Sequence, residues 1–343
     1  MKTKVITLNE KNQRSVLKKA ARLLSRSSLV AFPTETVYGL GGNALDPNAS
    51  LEIFKAKGRP SDNPLIVHIS DICEVYSLAY DIPKSFFKLA DAFWPGPLTI
   101  ILKKSDIVPD STTGGLPSVA IRMPSHPVAR DLISACGFPI AAPSANSSGK
   151  PSPTSALHVK EDLDGKLPLI LDGGECKIGI ESTVLSLAED KPLLLRPGAV
   201  TKEMIEEVIG EIEVSRGVLN PLKEGERVLS PGMKYKHYAP KADITVLEGD
   251  SEAFIKFLNE KKNESFSAAL LFKGEAERCP LPYIVFGAEG DELSQASSLF
   301  SALREFDKMG AKKVYAHSPG KSGVALAVYN RLIRAAGFNT IKL

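Results

Sequence analysis

The chain has 343 residues, beyond the roughly 100–200 of one ordinary domain, and its 43% hydrophobic and 24% charged residues are those of a globular protein. A net charge of +3 removes bulk electrostatic attraction to nucleic acid or to a membrane surface, so any polyanion site has to be local. No apolar run reaches the ~20 residues of a membrane helix, and the opening MKTKVITLNEKNQRS lacks the apolar centre of a signal peptide, so a cytoplasmic location with no membrane partner is expected.

A strand is predicted at residues 5–8 and a helix over 12–24, where Val16, Leu17, Ala20, Leu23 and Leu24 recur near a 3.6-residue spacing. A second strand follows at 28–32. Asp46-Pro47 places an N-cap carboxylate before a proline at the first helical position, which starts a short helix ending near Lys57. Apolar runs at 65–69, 98–102, 119–123, 139–142, 169–171, 184–187 and 193–195 read as strands of one large mixed sheet, with helical segments between some of them. After a helix over 201–209 the period is lost, and residues 215–240, rich in Gly, Pro, Lys and Glu, read as a linker. Beyond it, strands at 244–247, 268–272, 283–286, 313–316 and 340–343 and helices at 252–259, 293–308 and 324–336 describe a small open sheet of βαβ units. The expected organisation is therefore α/β, with a catalytic domain over 1–214, a linker or lid over 215–241 and a smaller domain over 242–343.

The four cysteines, Cys73, Cys136, Cys176 and Cys279, form no C-x-x-C pair and are expected as buried, reduced thiols. Neither H-E-x-x-H nor G-x-S-x-G occurs, so neither a zinc protease nor a hydrolase elbow is legible. Gly320-Lys321-Ser322 imitates the end of a P-loop, but Tyr315 stands where the motif needs glycine, and the segment is read as the start of a helix.

Three loops carry candidate chemistry. Lys57, Gly58 and Arg59 open a Gly/Pro-rich loop whose lysine and arginine combine a compact charge with a planar donor fork, the pair that grips phosphate oxygens; solvated charges on a turn are the bland alternative. Ala142 to Gly149 follows a buried strand with small hydroxyl and amide side chains, which let a ligand approach the backbone, although such residues also make ordinary turns. Pro33 to Gly42 has no G-x-G-x-x-G spacing and no helix at the right place, so the dinucleotide fingerprint is rejected. Arg122 and Arg196 end apolar strands just before prolines, which would leave guanidinium groups at a sheet edge, suited either to an anion or to a structural ion pair. His68 lies in a strand, where a satisfied core histidine is the default reading.

Six motifs in order, PTETVYGLG at 33–41, KGRPSDNPL at 57–65, SVAIRMPSHP at 118–127, APSANSSG at 142–149, ESTV at 181–184 and SPGMKYKHYAP at 230–240, resemble the threonylcarbamoyl-AMP synthase family of the YrdC type in its long form. The likeness covers essentially the whole chain. It implies a YrdC-like open twisted mixed sheet with flanking helices, followed by a smaller Rossmann-like α/β domain. It also implies a nucleotidyltransferase, an L-threonylcarbamoyladenylate synthase, in which L-threonine and bicarbonate form a carbamate that attacks the α-phosphate of ATP and releases pyrophosphate. The adenylate would feed the tRNA threonylcarbamoyltransferase machinery that makes t6A at adenosine 37, with Mg2+ accompanying ATP and direct tRNA contact left open.

By position, Lys57, Arg59, Ser144 and Asn146 match the family's triphosphate and adenylate groups, with Lys57 and Arg59 as the catalytic pair that neutralises the departing pyrophosphate. Thr36, His68, Arg122, Ala142 and Ser182 match the threonine pocket, with Arg122 on the substrate carboxylate. Asn63, Ser118 and Arg196 match nucleotide contacts, Ser118 standing where threonine is more usual. Tyr235, His237 and Tyr238 fall in a segment that resembles a lid, and Tyr238 is its expected nucleotide contact. Two rivals remain at this point: an RNA-binding module with a basic groove and no turnover, and a carbamoyl-transferring or adenylate-forming enzyme with another substrate.

Overall fold

The computed structural model describes residues 2–61, 63–221 and 238–343. Two sheets divide them. The first takes its strands from β1 (Lys4–Thr7), β2 (Val30–Phe32), β3 (Gly39–Asn43), β4 (Ile66–His68), β5 (Leu98–Lys103), β6 (Ser118–Arg122), β7 (Ile140–Ala141), β8 (Leu169–Asp172), β9 (Thr183–Ser186), β10 (Leu193–Arg196) and β11 (Glu213–Val214). Their order is β1-β8-β2-β3-β7-β4-β6-β5-β9-β10-β11. Parallel pairs such as β4 with β6 occur beside antiparallel pairs such as β3 with β7, so the sheet is mixed.

The helices of this part are α1 (Gln13–Leu24), α2 (Pro47–Lys57), α3 (Val75–Leu78), α4 (Lys84–Phe93), α5 (Asp110–Thr113), α6 (Pro127–Cys136), α7 (Ala156–Leu163) and α8 (Lys202–Ile209). They cover both faces. α1 and α6 pack Leu17, Ala20, Leu24, Val128 and Leu132 against Val30, Phe32 and Leu171, while α4 and α7 pack Phe86, Leu89, Val159 and Leu163 into the larger core on the opposite face.

β3 is not among the strands expected from the sequence. Its glycines are there for a neighbour: a Cβ on Gly41 would lie 2.8 Å from the Phe32 ring and 2.9 Å from Ile140 Cγ2. The phenyl ring of Phe32, fully buried, therefore lies across a strand that has no side chains at Gly39 and Gly41. A second correction concerns Arg122. It ends a strand, but β6 is flanked by β4 and β5, so its guanidinium is 3% exposed inside the sheet rather than at an edge. Of the cysteines, Cys73 is exposed, against expectation, and only Cys176 is fully buried.

The second sheet is β12 (Asp243–Glu248), β13 (Ser267–Leu271), β14 (Tyr283–Val285), β15 (Lys313–His317) and β16 (Thr340–Lys342), in the order β14-β13-β15-β12-β16 with every pair parallel. Strand side chains alternate between its faces. α9 (Ser251–Glu260) covers Leu247, Leu271 and Tyr315, whereas α10 (Glu292–Met309) and α11 (Gly323–Ala335) cover Ile244, Val246, Leu270 and Ala316. Ser322 occupies the N-cap position of α11 and Lys321 pairs with Glu248 at 2.8 Å, so the P-loop imitation is a helix start. The core under α10 and α11 also takes in Val37, Ile180 and Tyr238, so it continues onto the first sheet's loops.

Candidate active site

α2 ends where the first functional side chain is needed. Gly58 adopts φ 62°, the left-handed conformation that glycine reaches without a Cβ clash, and its N–H and that of Arg59 close the helix on Lys55 and Phe54 oxygens at 3.2 and 3.0 Å. The turn leaves Lys57 pointing inward, 4% exposed. Its Nζ donates to the Ser144 carbonyl, to the Asn146 carbonyl at 2.6 Å and to Asn146 Oδ1 at 3.2 Å. An ammonium has three donors, and all three are directed at the loop after β7. Ser144 Oγ and the Lys57 backbone complete the tie, donating to Asn146 Oδ1 at 2.6 Å and accepting the Ser148 N–H at 2.9 Å. Burial, followed by the charge of Arg59, lowers the Lys57 pKa well below that of a free lysine. An incoming polyanion would push it back up.

Arg122 forms a second knot. Its Nε donates to Gly96 O at 3.2 Å, Nη1 to Thr36 Oγ1 at 2.9 Å and Nη2 to Glu35 Oε1 at 2.6 Å. Burial would raise the Glu35 pKa, but the charge and hydrogen bond of Arg122 outweigh it and hold the carboxylate below its ordinary range. Glu35 Oε2 is buried without a hydrogen bond. His68, paired in register with Arg122 across β4 and β6, is driven down to about 3 by burial and by that arginine. It is neutral at physiological pH, and donation from Nδ1 to Ile66 O at 3.1 Å leaves Nε2 as an acceptor.

A third knot joins β9 to β10. Arg196 donates from Nε to Ser182 O at 3.0 Å and from Nη2 to Ser182 Oγ at 3.1 Å, and Ser182 Oγ lies 2.8 Å from Thr99 Oγ1. Burial lowers the Arg196 pKa to about 10. Beside it, the buried Glu181 keeps a lowered pKa because Arg331 and Arg196 outweigh its desolvation.

These knots face one cavity. Thr36, Lys57, Arg59, His68, Arg122, Ala142, Ser144, Asn146, Ser182, Arg196 and Tyr238 all line it. Arg59 also donates at 3.4 Å to the backbone oxygens of Asn63 and Pro64. Asn63 and Ser118 do not line the cavity: they sit at the far ends of β4 and β6, Ser118 on the same face as Arg122 with Ala120 between. Tyr235 and His237 lie outside the described residues. Tyr238, 5% exposed, lines the cavity and packs on Phe300, with ring centroids 5.2 Å apart. The cavity is partly open to solvent, with about 70 Å³ of it accessible to water.

The sequence reading missed Glu181, which lines the cavity, and Glu35, which lies behind Thr36 and Arg122; both are paired with arginines that come from distant segments. Each stands inside a quoted motif, and the available signal was an acid directly preceding the hydroxyl residue assigned to the pocket. Among the described residues no group of three or more His, Cys, Asp or Glu side chains is arranged to hold a metal ion, and no helix is long and apolar enough to cross a membrane.

The Sua5/YciO/YrdC family model, described as "Telomere recombination", matches residues 22–198, and a model described as "Threonylcarbamoyl-AMP synthase, C-terminal domain" matches residues 200–337. The threonylcarbamoyl-AMP synthase of Pyrococcus abyssi is 46% identical over 346 residues, covering 99% of this chain and 100% of that protein. The enzyme of the same name from Bacillus subtilis is 48% identical, covering 94% of this chain and 93% of its own length. The crystal structure of P. abyssi Sua5 complexed with L-threonine superposes with a TM-score of 0.92 at 45% identity, covering 99% of this chain and 100% of that one. Shared length, shared fold and six motifs whose side chains meet in one cavity agree: the chain belongs to the threonylcarbamoyl-AMP synthase family.

Proposed function

We propose that this chain is a nucleotidyltransferase that condenses L-threonine, bicarbonate and ATP into threonylcarbamoyl-AMP and pyrophosphate, in the cytoplasm, as the activating step of t6A formation on tRNA. The observation that carries the reading is the bond set between Lys57 Nζ and the Ser144–Asn146 loop, which fuses the cationic loop and the hydroxyl loop into one wall. A buried positive charge backed by small hydroxyl and amide groups suits a triphosphate.

The assigned parts divide by position. Arg122 takes the threonine carboxylate: three of the five guanidinium donors are committed to Gly96, Thr36 and Glu35, and two remain for a bidentate substrate. Thr36, Ser182, the neutral His68 and the Ala142 backbone would complete that pocket. The nucleotide would run along β4 and β6 from this pocket towards Ser118 and Asn63, a span of about 13 Å for the four residues from Ser118 to Arg122. Arg196 and Tyr238 would flank its adenylate.

The carbamate oxygen is already anionic, so the chemistry asks for alignment and water exclusion rather than a strong base. That oxygen forms a bond to the α-phosphorus as the bond to the β-bridging oxygen breaks. The negative charge that gathers on the leaving pyrophosphate meets Arg59 and the charge of Lys57. Because the Lys57 donors are directed at the loop, its part is to fix that loop and to place a charge beneath it. Magnesium is assigned to the substrate as MgATP, since Glu181 in the cavity and Glu35 beside it are already paired with arginines.

Pyrophosphate release from MgATP, measured with and without threonine and bicarbonate, tests the reading. Release that requires both is expected. Release without threonine would point to a different acyl substrate, and steeply salt-dependent RNA binding with no release would favour a binding module.

A further inference from the structure

We infer that the C-terminal sheet domain sets the separation of the two cavity walls through two positioning arginines, Arg331 for the wall that carries Ser182 and Arg196, and Arg304 for the wall that carries Ser144 and Asn146. The inference rests on the synthase reading for its assay, but its geometry stands apart from it.

Arg331, on α11, is fully buried. Its guanidinium leaves its own domain: Nε donates to Glu181 Oε2 at 3.0 Å, Nη2 to Glu181 O at 3.1 Å and Nη1 to Pro197 O at 2.6 Å. Glu181 immediately precedes Ser182 and Pro197 immediately follows Arg196. One side chain therefore ties the start of β9 to the end of β10, at the point where Arg196 reaches Ser182. Glu181 Oε1 accepts from Ser152 Oγ, so the carboxylate has a partner on each oxygen. A planar fork carries its donors in a fixed, spread geometry that matches acceptors on two separate segments at once, whereas a lysine would bring its donors to a single point.

Arg304, on α10, does the same for the opposite wall. Its Nη2 donates to Pro151 O at 2.6 Å and to Asp162 Oδ2 at 2.8 Å, and Nη1 to Asp162 Oδ1 at 3.2 Å. Asp162 in turn receives Lys150 Nζ at 3.0 Å on its side chain and Ser147 Oγ at 3.0 Å on its carbonyl. The Lys150 carbonyl accepts Asn146 Nδ2 at 2.8 Å. Arg304 is thus linked to the loop pinned by Lys57 through direct hydrogen bonds by way of Asp162 and Lys150.

The seam between the two arginines is closely fitted. A Cβ on Gly179 would fall 2.4 Å from Ser297 Cα and 2.7 Å from Ala296 O on α10, and Thr154 Oγ1 meets Ser301 Oγ at 3.1 Å. Backbone against backbone leaves little room to slide, so the walls keep the spacing that the two arginines give them. A 1 Å error in that spacing is enough to impair alignment of three reactants.

Steady-state kinetics of the full-length Arg331→Met, Arg331→Lys, Arg304→Met and Arg304→Lys variants, with melting temperatures recorded alongside, test the inference. The threonine KM discriminates. In Arg331→Met it should rise about tenfold, with a smaller rise in Arg331→Lys. In Arg304→Met it should stay within about twofold of the parent while the ATP KM rises about tenfold. Should a methionine variant fail to fold, the lysine variant at the same position carries the comparison. Parallel shifts of both KM values in both variants, or unchanged KM values beside a lowered melting temperature, would overturn the inference. If the parent proves not to need threonine, the synthase reading fails on its own, and ATP affinity by calorimetry still separates Arg304→Met from its parent.

Discussion

The two sheets handle buried charge in opposite ways. In the C-terminal sheet, His317 is buried between Glu275 Oε1 at 2.5 Å and Gly249 O at 3.0 Å; burial alone would lower its pKa, but Glu275 raises it. In the N-terminal sheet, His68 is equally buried but faces Arg122, and it is driven down to about 3. The first histidine is satisfied as a cation by its own domain. The second is kept neutral beside a guanidinium that still has donors to offer. A buried pair that satisfies itself is a support; one that leaves charge incompletely matched has something to give a substrate.

The largest expected effect breaks this contrast at Lys57. Lys57→Ala should lower the rate of threonine-dependent pyrophosphate release by about 10²–10³-fold, with a drop in melting temperature as well, because the carbonyls of Ser144 and Asn146 lose their donor. A rate at the parental level in a folded variant would remove Lys57 from the mechanism.

The histidine pair sharpens the contrast through pH. His68 has a folded pKa below the 6.5 of an exposed histidine, so the unfolded chain binds the extra proton and stability is lost as pH falls from 6.5 towards 3. By pH 5 the loss should be about 2 kcal/mol. The sign reverses for His317, whose contribution is present below 6.5 and fades as pH rises through its raised pKa. Urea midpoints at pH 8, 6.5 and 5 should show the acid slope flattened in His68→Gln and the alkaline slope flattened in His317→Gln.

The smallest effect is expected at the P-loop imitation. Lys321 is half exposed and pairs with Glu248, so Lys321→Ala should change stability by less than about 1 kcal/mol and leave synthase kinetics unaltered. A loss of ATP affinity there would give the C-terminal sheet a nucleotide role of its own.

Legibility followed the same divide. In the C-terminal sheet, strands such as Ser267–Leu271 and helices such as Glu292–Met309 fall within a residue or two of the apolar periods in the sequence, because each element buries one face against the next. β3 escaped because its backbone is chosen for the ring of Phe32, a partner nine residues from Gly41 in sequence and invisible to any local period. The cavity side chains were found as members of motifs. What the motifs did not reveal was who holds them: Glu35 on Arg122, and Glu181 on an arginine 150 residues away, are pairings set by tertiary packing.

The three bonds from Lys57 to the 144–146 loop have a consequence for redesign. On the proposed function the same amine is a rivet in the architecture and a charge in the chemistry, so the two properties cannot be tuned separately at that position. Attempts to alter the proposed nucleotide preference would do better to begin at Ser118, which takes no part in that fastening.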